Sequence, residues 1–310
     1  PARPVDRAVV THGHADHARP GHAHVLATAE TIAIMRTRYG EVSMGAIQAA
    51  AYGEPIRIGG VEVELRPAGH VLGSAQVVLT HAGQRAVVSG DYKRRRDPTC
   101  PPFEPVSCDV FISEATFGLP VFRHPDDGAE IGKLLASIAL FPERTHVVGA
   151  YALGKAQRVI MLLREAGWTR PIYIHGALVA LCDLYRDFGH DLGELRLATA
   201  AAKAELAGAL VLAPPSALAD RWARRLAEPV SAMASGWMGI RARARQRGAE
   251  LPLVISDHAD WDELTATFRD VGAPEIWITH GREEALIHWA RTRGFDAKAL
   301  SLVGRDEEAE

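Results

Sequence analysis

Residues 11–17 read Thr-His-Gly-His-Ala-Asp-His and stand at the end of a short apolar run that predicts a β-strand. Three imidazoles and one carboxylate are thus gathered within one loop. Nitrogen and oxygen donors at this density suit a transition-metal site. Because alternate side chains of a loop can converge on one point, we expect His12 and His14 to share one metal ion, and Asp16 and His17 to turn toward a second. The competing interpretation is a histidine-rich surface loop without this chemistry.

Two positions further along the chain carry the same residue types. His70 lies in a glycine-flanked loop, and Asp91 directly follows a glycine; each comes after a predicted strand. Glycine lets the backbone turn sharply, so that a side chain beside it can face a cavity. Each is a weak signal alone, and their order after the histidine-rich loop makes them candidates for the same site. His22 and His24 are instead interpreted as surface or supporting histidines.

The order of these residues resembles a known superfamily. A His-x-His-x-Asp-His motif after a strand, followed by a histidine and then an aspartate, is similar to the pattern of the metallo-β-lactamases. The resemblance implies that His70 completes the ligands of the first ion and that Asp91 bridges two divalent ions. Histidine and carboxylate ligands without cysteine suit Zn, Mn or Fe, and we expect Zn or Mn.

The last two thirds of the chain resemble one branch of this superfamily, the β-CASP nucleases. That branch has a strand-terminal acid, a histidine followed by an aspartate, and a strand-terminal His-Gly. Glu114 in Ser-Glu-Ala-Thr-Phe-Gly, His258 in Ser-Asp-His-Ala-Asp and His280 in Ile-Thr-His-Gly match these patterns. The simpler interpretations are a solvated acid at position 114 and satisfied core histidines at the other two positions.

The resemblance to the β-CASP nucleases also implies roles for these residues. His280 completes the ligands of the second ion, which include Asp16. Asp16 is also expected to be a catalytic residue. His258 is the general acid that protonates the leaving oxygen. Glu114 holds the other ring nitrogen of His258 and favours its charged form.

The spacing of apolar residues predicts the secondary structure around these motifs. Strands are predicted over Val61–Pro67, Gln76–Thr80, Arg85–Ser89, Asp109–Ser113, Thr145–Ala150, Pro171–His175, Ala209–Ala213, Val230–Ala234, Leu253–Ser256 and Glu275–Thr279. Helices are predicted over Lys155–Glu165, Leu178–Phe188, Ser216–Leu226, Glu263–Val271 and Glu283–Arg293. The first third is β-rich and predicted to be antiparallel, whereas the alternation that follows indicates βαβ units and a parallel sheet.

The implied fold class is α/β, an αββα metallo-β-lactamase sandwich with an inserted Rossmann-like β-CASP domain. The sandwich is expected over residues 1–117 and 251–310, and the insertion over residues 118–250. The family usually has an aspartate in an early strand shortly before the histidine-rich motif. Asp6 is too close to that motif to match it, and we expect the first strands of the sandwich to be missing from this sequence.

Basic groups and backbone amides near these motifs predict a substrate surface. A run of four cations, 93–96, would attract a phosphate backbone, unless it is only a solvated basic turn. The turn before the helix over 155–165 is suited to bind phosphate at the helix N-terminus. Arginines at every second position of 241–247 would be spread around a helix, so a single stripe is not expected. The predicted substrate-binding residues are Lys93, Arg94, Lys155, Ser235, Gly236 and Trp237.

Composition limits the class of protein. The 310 residues are 47% hydrophobic and 24% charged, which is typical of a globular protein. The apolar stretches are short and interrupted, so no membrane span is predicted. Three cysteines without a paired motif exclude a disulfide framework and favour a reducing cytoplasm. The net charge of −3 weighs mildly against a nucleic-acid binder, although the distribution of charge matters more than its sum.

These observations favour a two-metal phosphodiesterase that acts on nucleic acid. Within the β-CASP branch the chain resembles the bacterial ligase-associated DNA exonucleases, which implies DNA repair or end processing, with a DNA ligase or helicase as functional partner. RNA is the second substrate, because His280 is typical of the RNA-processing members. A small-molecule hydrolase of the same fold is less favoured because such enzymes lack the insertion and the Glu114–His258 pair. A member that only binds RNA or other subunits is disfavoured because such proteins usually lose metal ligands.

Overall fold

A computed structural model of the protein contains two compact units. The first unit comprises residues 1–123 and 258–310, and the second unit comprises residues 124–257. No helix among the described residues is long and apolar enough to cross a membrane. The structure describes residues 3–41, 45–219, 222–223, 226 and 228–300.

Strands and α-helices are numbered here in chain order. They are β1 (Arg7–Val9), β2 (His24–Ala27), α1 (Ala29–Tyr39), β3 (Ala46–Ala49), β4 (Ile56–Ile58), β5 (Val61–Pro67), β6 (Ala75–His81), β7 (Gln84–Val88), β8 (Val110–Ala115), α2 (Asp127–Leu140), β9 (His146–Gly149), α3 (Lys155–Glu165), β10 (Ile172–Ile174), α4 (Val179–Asp187), β11 (Leu195–Leu197), β12 (Leu210–Ala213), β13 (Val230–Ala234), α5 (Arg241–Gln246), β14 (Leu251–Leu253), α6 (Trp261–Val271), β15 (Glu275–Gly281), α7 (Glu283–Arg291) and β16 (Asp296–Ala299).

A small parallel sheet, ordered β1-β2-β3, carries the histidine-rich loop of the first unit. The helix α1 crosses from β2 to β3. It begins at Thr28, whose hydroxyl accepts a hydrogen bond from the amide of Thr31 and so satisfies one of the free helix-end donors. Val25, Ile32 and Met35 belong to a buried cluster that packs this helix on the sheet. The predicted antiparallel arrangement is therefore wrong for this part of the first third.

A seven-stranded sheet, ordered β16-β15-β8-β7-β6-β5-β4, forms the rest of the first unit. The strands β4 to β7 are antiparallel, as predicted, and the pairs β7–β8, β8–β15 and β15–β16 are parallel. Phe111 of β8 and Ile276 of β15 are fully buried in one cluster with Leu264 and Phe268 of α6. This packing fixes the ends of β7, β8 and β15, where Asp91, Glu114 and His280 are found.

The second unit is built on a six-stranded sheet, ordered β11-β10-β12-β9-β13-β14. Each recorded pairing in it is parallel, in agreement with the predicted alternation of strands and helices. Its central strands β9 and β12 are buried at every residue, because parallel sheets are covered on both faces.

The predicted elements differ from the structure where local patterns were weak. The strand over Val61–Pro67 and the helix over Lys155–Glu165 have the predicted bounds. The helix predicted over 216–226 is wrong: a short 3-10 helix covers Pro215–Ala219, and the rest of that range lies partly outside the described residues. The strand predicted over 253–256 occurs earlier, as β14. Among the elements not predicted are the helices α1, α2 and α5.

Candidate metal centre

The histidine-rich motif lies in a tight turn after β1. The amide of His17 donates to His14 O at 3.1 Å, so the loop closes on itself. Gly13 packs against α1, and a Cβ at this position would lie 2.4 Å from Ile34 Cγ2, so no larger residue fits without a shift of the helix. The guanidinium of Arg38 donates to Gly13 O at 2.8 Å. Helix α1 thus supports the loop through one close contact and one hydrogen bond.

A first cluster of donor atoms joins this loop to two later segments. His70 is fully buried, and its Nε2 lies 3.0 Å from His14 Nδ1. Its backbone is held because the amide of His70 donates to Ser74 Oγ at 3.1 Å. One ligand atom from each member lies within 4.8 Å of the others in the set His12, His14, His70 and Asp91.

A second cluster consists of Asp16, His17 and His280, whose ligand atoms also lie within 4.8 Å of one another. Asp91 connects the two clusters, because its Oδ2 lies 3.4 Å from His12 Nε2 and 3.4 Å from His17 Nε2. One carboxylate oxygen is therefore equidistant from a histidine of each cluster, as a bridging ligand between two ions must be.

His280 stands at an irregularity near the end of β15. The register with β8 shifts between Thr279 and Gly281. His280 has φ +60°, which is uncommon for a residue with a side chain. Gly281 has φ +145°, and a Cβ there would lie 2.1 Å from Ala115 O. Backbone strain of this kind concentrates at functional sites, where it re-aims a side chain that regular strand geometry would point elsewhere.

His258 forms a hydrogen-bonded pair with the buried Glu114 beside the first cluster. His258 Nδ1 lies 3.0 and 2.9 Å from the two carboxylate oxygens, which assigns its proton to Nδ1. The carboxylate also accepts hydrogen bonds from the amide of Tyr92, at 2.8 Å, and from the hydroxyl of Thr116. Burial acts to raise the pKa of Glu114, but the charge of His258 and these hydrogen bonds outweigh it and leave that pKa below its ordinary value.

The same pair lies close enough to Asp91 to be a third possible group of metal donors, since Asp91, Glu114 and His258 offer atoms within 4.8 Å. The carboxylate of Glu114, however, already accepts three hydrogen bonds. A carboxylate used in this way orients its partners. We therefore interpret Glu114 as the group that holds His258 rather than as a ligand.

Electrostatics keep the donors in the forms that bind a cation. Burial first, and then four neighbouring histidines, hold the pKa of His12 well below its ordinary value. Burial acts to raise the pKa of Asp16, but His17 and its other neighbours leave that pKa lowered. Neutral imidazoles and ionised carboxylates are the states in which these side chains ligate metal ions.

The residues fit a pair of divalent cations. His12 Nε2 is enclosed and makes no hydrogen bond to any described residue, although Asp91 Oδ2 is 3.4 Å away. Leaving a buried polar atom unsatisfied costs about 1–3 kcal/mol, a cost that a cation at this nitrogen would remove. Imidazole nitrogens and carboxylate oxygens without thiolates suit Zn²⁺ or Mn²⁺.

Two residues that were not among the predicted site residues connect the metal donors to the His258 segment. Tyr92 O accepts a hydrogen bond from the amide of Ala259 at 2.6 Å, while its own amide binds Glu114. Arg95 Nη2 donates to Asp260 Oδ2 at 2.8 Å. Asp260 caps α6 in a capping box, and the Asp-x-x-Glu pattern of that box was the available sequence signal.

The basic run after Asp91 has structural partners. Lys93 is only 1% exposed. Arg94 Nη1 donates to Asp270 Oδ2 at 2.6 Å, and its guanidinium lies 5.8 Å from the centre of the Phe103 ring. The alternative interpretation, a solvated basic turn, therefore does not describe Lys93 and Arg94. A role for Lys93 and Arg94 in substrate binding stays a prediction.

The predicted substrate residues of the second unit are also engaged locally. Lys155 is 1% exposed, and its Nζ donates to Asp257 Oδ1 at 2.8 Å. Ser235 Oγ accepts from the amide of Trp237 at 3.3 Å and so caps a 3-10 helix over Gly236–Gly239. Ser235 and Gly236 are buried, and Trp237 is half-buried. Their contact with a substrate stays a prediction.

The chain is similar in sequence to two curated proteins over nearly its whole length. A probable DNA ligase of Opitutus terrae is 29% identical, across 99% of this chain and 30% of the ligase. Ribonuclease TTHA0252 of Thermus thermophilus is 25% identical, across 96% of this chain and 86% of the ribonuclease. This chain therefore spans less than a third of the ligase's length but most of the ribonuclease's.

Comparison with family models and solved structures adds the fold alone. No family model matches the chain. A crystal structure of a protein of unknown function from Enterococcus faecalis V583 is similar, with a TM-score of 0.59 and 14% sequence identity. The match covers 89% of this chain and 75% of that one.

Proposed function

We propose that this chain is a metal-dependent nuclease which hydrolyses phosphodiester bonds of DNA, because it belongs to the β-CASP branch of the metallo-β-lactamase superfamily. The observation that carries this proposal is the position of Asp91, whose Oδ2 lies 3.4 Å from a histidine of each donor cluster. We assign the second unit, 124–257, as the β-CASP insertion, because its chain enters after Glu114 and leaves just before His258.

The two clusters are assigned as two cation sites. His12, His14 and His70 would hold one divalent ion, and Asp16, His17 and His280 would hold the other. Asp91 belongs to the first of these groups, and we assign it to both ions because its Oδ2 also lies 3.4 Å from His17 Nε2. When bound, two such ions supply charge stabilisation for the phosphate and an activated water as nucleophile. We propose Zn²⁺ or Mn²⁺ because of the donor set.

His258 acts as the general acid. Its Nδ1 is held by Glu114, so Nε2 is the atom that carries a proton to the departing oxygen. A charged Glu114 stabilises the imidazolium before the proton is given up. The side chain of His258 is 17% exposed, which lets a substrate approach, while Glu114 is buried and kept from water.

Similarity to the probable DNA ligase supports DNA as the polymer. A region like this chain makes up 30% of that longer protein, which fits an exonuclease that prepares ends before ligation. A DNA ligase or helicase is the partner we propose for such a reaction. The free cysteines Cys100, Cys108 and Cys182 are compatible with a reducing cytoplasm, where we place the activity.

RNA is the second candidate substrate. Similarity to ribonuclease TTHA0252 covers 96% of this chain and 86% of the ribonuclease, so it favours an RNA-processing activity on the same centre. The metal and general-acid chemistry is the same for both polymers, and only contacts at the ribose 2′-OH would distinguish them.

The proposal is tested with matched end-labelled single strands of DNA and RNA. Wild-type protein, Asp91→Ala and Asp296→Asn are loaded with Mn²⁺ or Zn²⁺ and incubated with each strand. Asp296 is an exposed aspartate of β16 in the same unit and serves as the matched control. We expect metal-dependent shortening by the wild type and the control, and a loss of about a thousandfold or more in Asp91→Ala, since a shared ligand is removed.

The pattern of products discriminates among the proposals. Shortening of DNA with a regular ladder supports the exonuclease, whereas preferred cleavage of RNA moves the second candidate to first place. If metal-loaded wild-type protein leaves both polymers intact, the nuclease proposal is overturned. A small-molecule hydrolase of the same fold would then be the remaining interpretation.

A further inference from the structure

We propose that the second unit carries a contact surface for the phosphate backbone of a polynucleotide, formed by α5 and the turn before it. The polymer's identity rests on the proposed nuclease function, and the surface itself rests on charge and packing within the second unit. We call it the α5 surface. Its members are Trp237, Arg241, Arg243, Arg245 and Arg247.

The α5 surface concentrates positive charge in a chain that is acidic overall. Residues 235–249 contain four arginines and no aspartate or glutamate, whereas the whole chain has a net charge of −3. The next carboxylate along the chain, Glu250, pairs with Arg144 at 3.0 Å. A local excess of cations held on one short segment is the electrostatic pattern expected of a phosphate contact.

Helix geometry makes these arginines available together. Ala244 of α5 is buried and Arg243 is partly buried, so one side of this short helix packs and the other side faces solvent. Arg241, Arg245 and Arg247 are exposed. The arginines do not form a single stripe, because they are spread around the helix axis. Three of them nevertheless face solvent. A flexible strand can meet such a convex surface at more than one phosphate.

An aromatic ring lies next to the cations. The guanidinium of Arg243 lies 4.1 Å from the centre of the Trp237 ring, a cation–π contact that holds both groups in place. Trp237 is half-buried, and its amide is fixed by Ser235. Aromatic rings interleaved with cations are typical of proteins that bind single strands without sequence preference.

Salt dependence distinguishes a phosphate contact from a merely solvated charge. Each phosphate that a protein neutralises contributes about −0.7 to the slope of log K against log salt for single strands. Removing three contacting arginines would therefore make the slope less steep by about 2. A solvated basic helix would leave the slope where it was.

The experiment measures binding of a labelled oligothymidylate and of the matching RNA by fluorescence anisotropy. Chelator is present so that no cleavage occurs, and ionic strength is varied. The tested proteins are wild type, Arg241→Gln/Arg245→Gln/Arg247→Gln, the corresponding triple substitution to lysine, and Arg170→Gln. Arg170 is the control, because it is an exposed arginine of the same unit, like the three substituted residues, but lies outside the α5 surface.

We expect the triple glutamine protein to bind about tenfold or more weakly at low salt, with the reduced slope, and the lysine protein to retain most of the slope because its charge is kept. Arg170→Gln should bind as the wild type does. Equal affinity and slope in the wild type and the triple glutamine protein would overturn the proposal, as would a wild type that binds no oligonucleotide at low salt.

Failure of the α5 surface and failure of the proposed function are separable. Hydrolysis of bis(p-nitrophenyl) phosphate by metal-loaded wild-type protein reports on the metal centre with a substrate too small to need an extended contact. Hydrolysis without any effect of the arginines on polymer binding would reject only the α5 surface. Salt-dependent binding through the arginines, without hydrolysis of small or polymeric substrates, would reject only the nuclease.

Discussion

The buried cations Lys155 and Arg158 of the second unit and the buried imidazole of His12 in the first unit are satisfied to different degrees. In the second unit, Lys155 Nζ donates to Asp257 at 2.8 Å, and Arg158 Nη1 donates to the carbonyl of Ser256 at 2.7 Å. In the first unit, His12 Nε2 is enclosed without a hydrogen bond to a described residue, with Asp91 Oδ2 at 3.4 Å. Removing one partner of a buried ion pair destabilises a fold, because the other charge stays buried. An enclosed donor atom that lacks a partner among its neighbours indicates a ligand site.

Substitution of Lys155 tests whether the hydrogen-bonded buried cation supports the second unit, and it has the largest expected effect on stability. Lys155→Met leaves Asp257 without its cation, and breaking a buried pair in this way costs about 3–5 kcal/mol. We expect a loss of that size in the free energy of unfolding, measured by denaturant titration. Metal content should stay as in the wild type.

Two further proteins control the Lys155 experiment. Lys203→Met removes an exposed lysine of the same unit and should change stability little. Lys155→Met/Asp257→Asn removes both charges and should recover part of the loss. Equal stability of Lys155→Met and wild type would show that this ion pair does not support the second unit.

Glu114 shares a feature with each of the two groups compared above. Its hydrogen bonds are made, as those of Lys155 are, and one of them holds the proposed general acid of the metal centre. In Glu114→Gln the amide keeps the shape but loses the charge that favours a protonated His258. We expect kcat to fall about a hundredfold with metal content unchanged. The alkaline limb of the pH–rate profile should move to lower pH, since the acid form of His258 is then less favoured.

An exposed acid of the same unit, Glu104, is the matched control for Glu114. Glu104→Gln should leave the profile in place. A Glu114→Gln enzyme with wild-type kcat and an unmoved alkaline limb would remove Glu114 from the mechanism.

Metal addition tests directly whether the enclosed Nε2 of His12 belongs to a cation site. A ligand that binds only the folded state at a hundred times its Kd stabilises that state by about 2.7 kcal/mol. We expect Mn²⁺ or Zn²⁺ to raise the unfolding midpoint relative to chelator in the wild type, and to do so much less in Asp91→Asn. An unfolding midpoint that metal does not change would contradict the interpretation of the enclosed His12 nitrogen.

The smallest expected effect is a pH dependence in the second unit. Burial holds the pKa of His146 below its ordinary value, and Ser137 Oγ lies 2.9 Å from its Nε2. The unfolded chain therefore takes up a proton first as pH falls through about 6.5. Stability that is present above that pH is lost below it. His146→Gln should reduce the fall in unfolding free energy between about pH 7.5 and 5.5, and an identical fall in both proteins would contradict this.

The local pattern of apolar residues was sufficient to predict an element's bounds where the tertiary surroundings favour the same secondary structure as the segment itself. The strand over Val61–Pro67 alternates and is half-buried, and the helix over Lys155–Glu165 is buried all round in its first six residues; both have the predicted bounds. The range 216–226 has helical spacing, yet its first residues form a 3-10 helix. The helix α2 was missed despite an aspartate that caps it, Asp126.

The amino-acid sequence alone predicted the candidate donor residues, because a metal site needs particular side chains in loops that glycine allows to turn, and those requirements appear in the local order of residues. The tertiary structure decided the distances between the donor atoms of these residues. It placed one oxygen of Asp91 equally far from two histidines. It also paired Arg95 with Asp260 and gave α5 one buried side. Such arrangements depend on contacts between segments far apart in the chain, which no local spacing records.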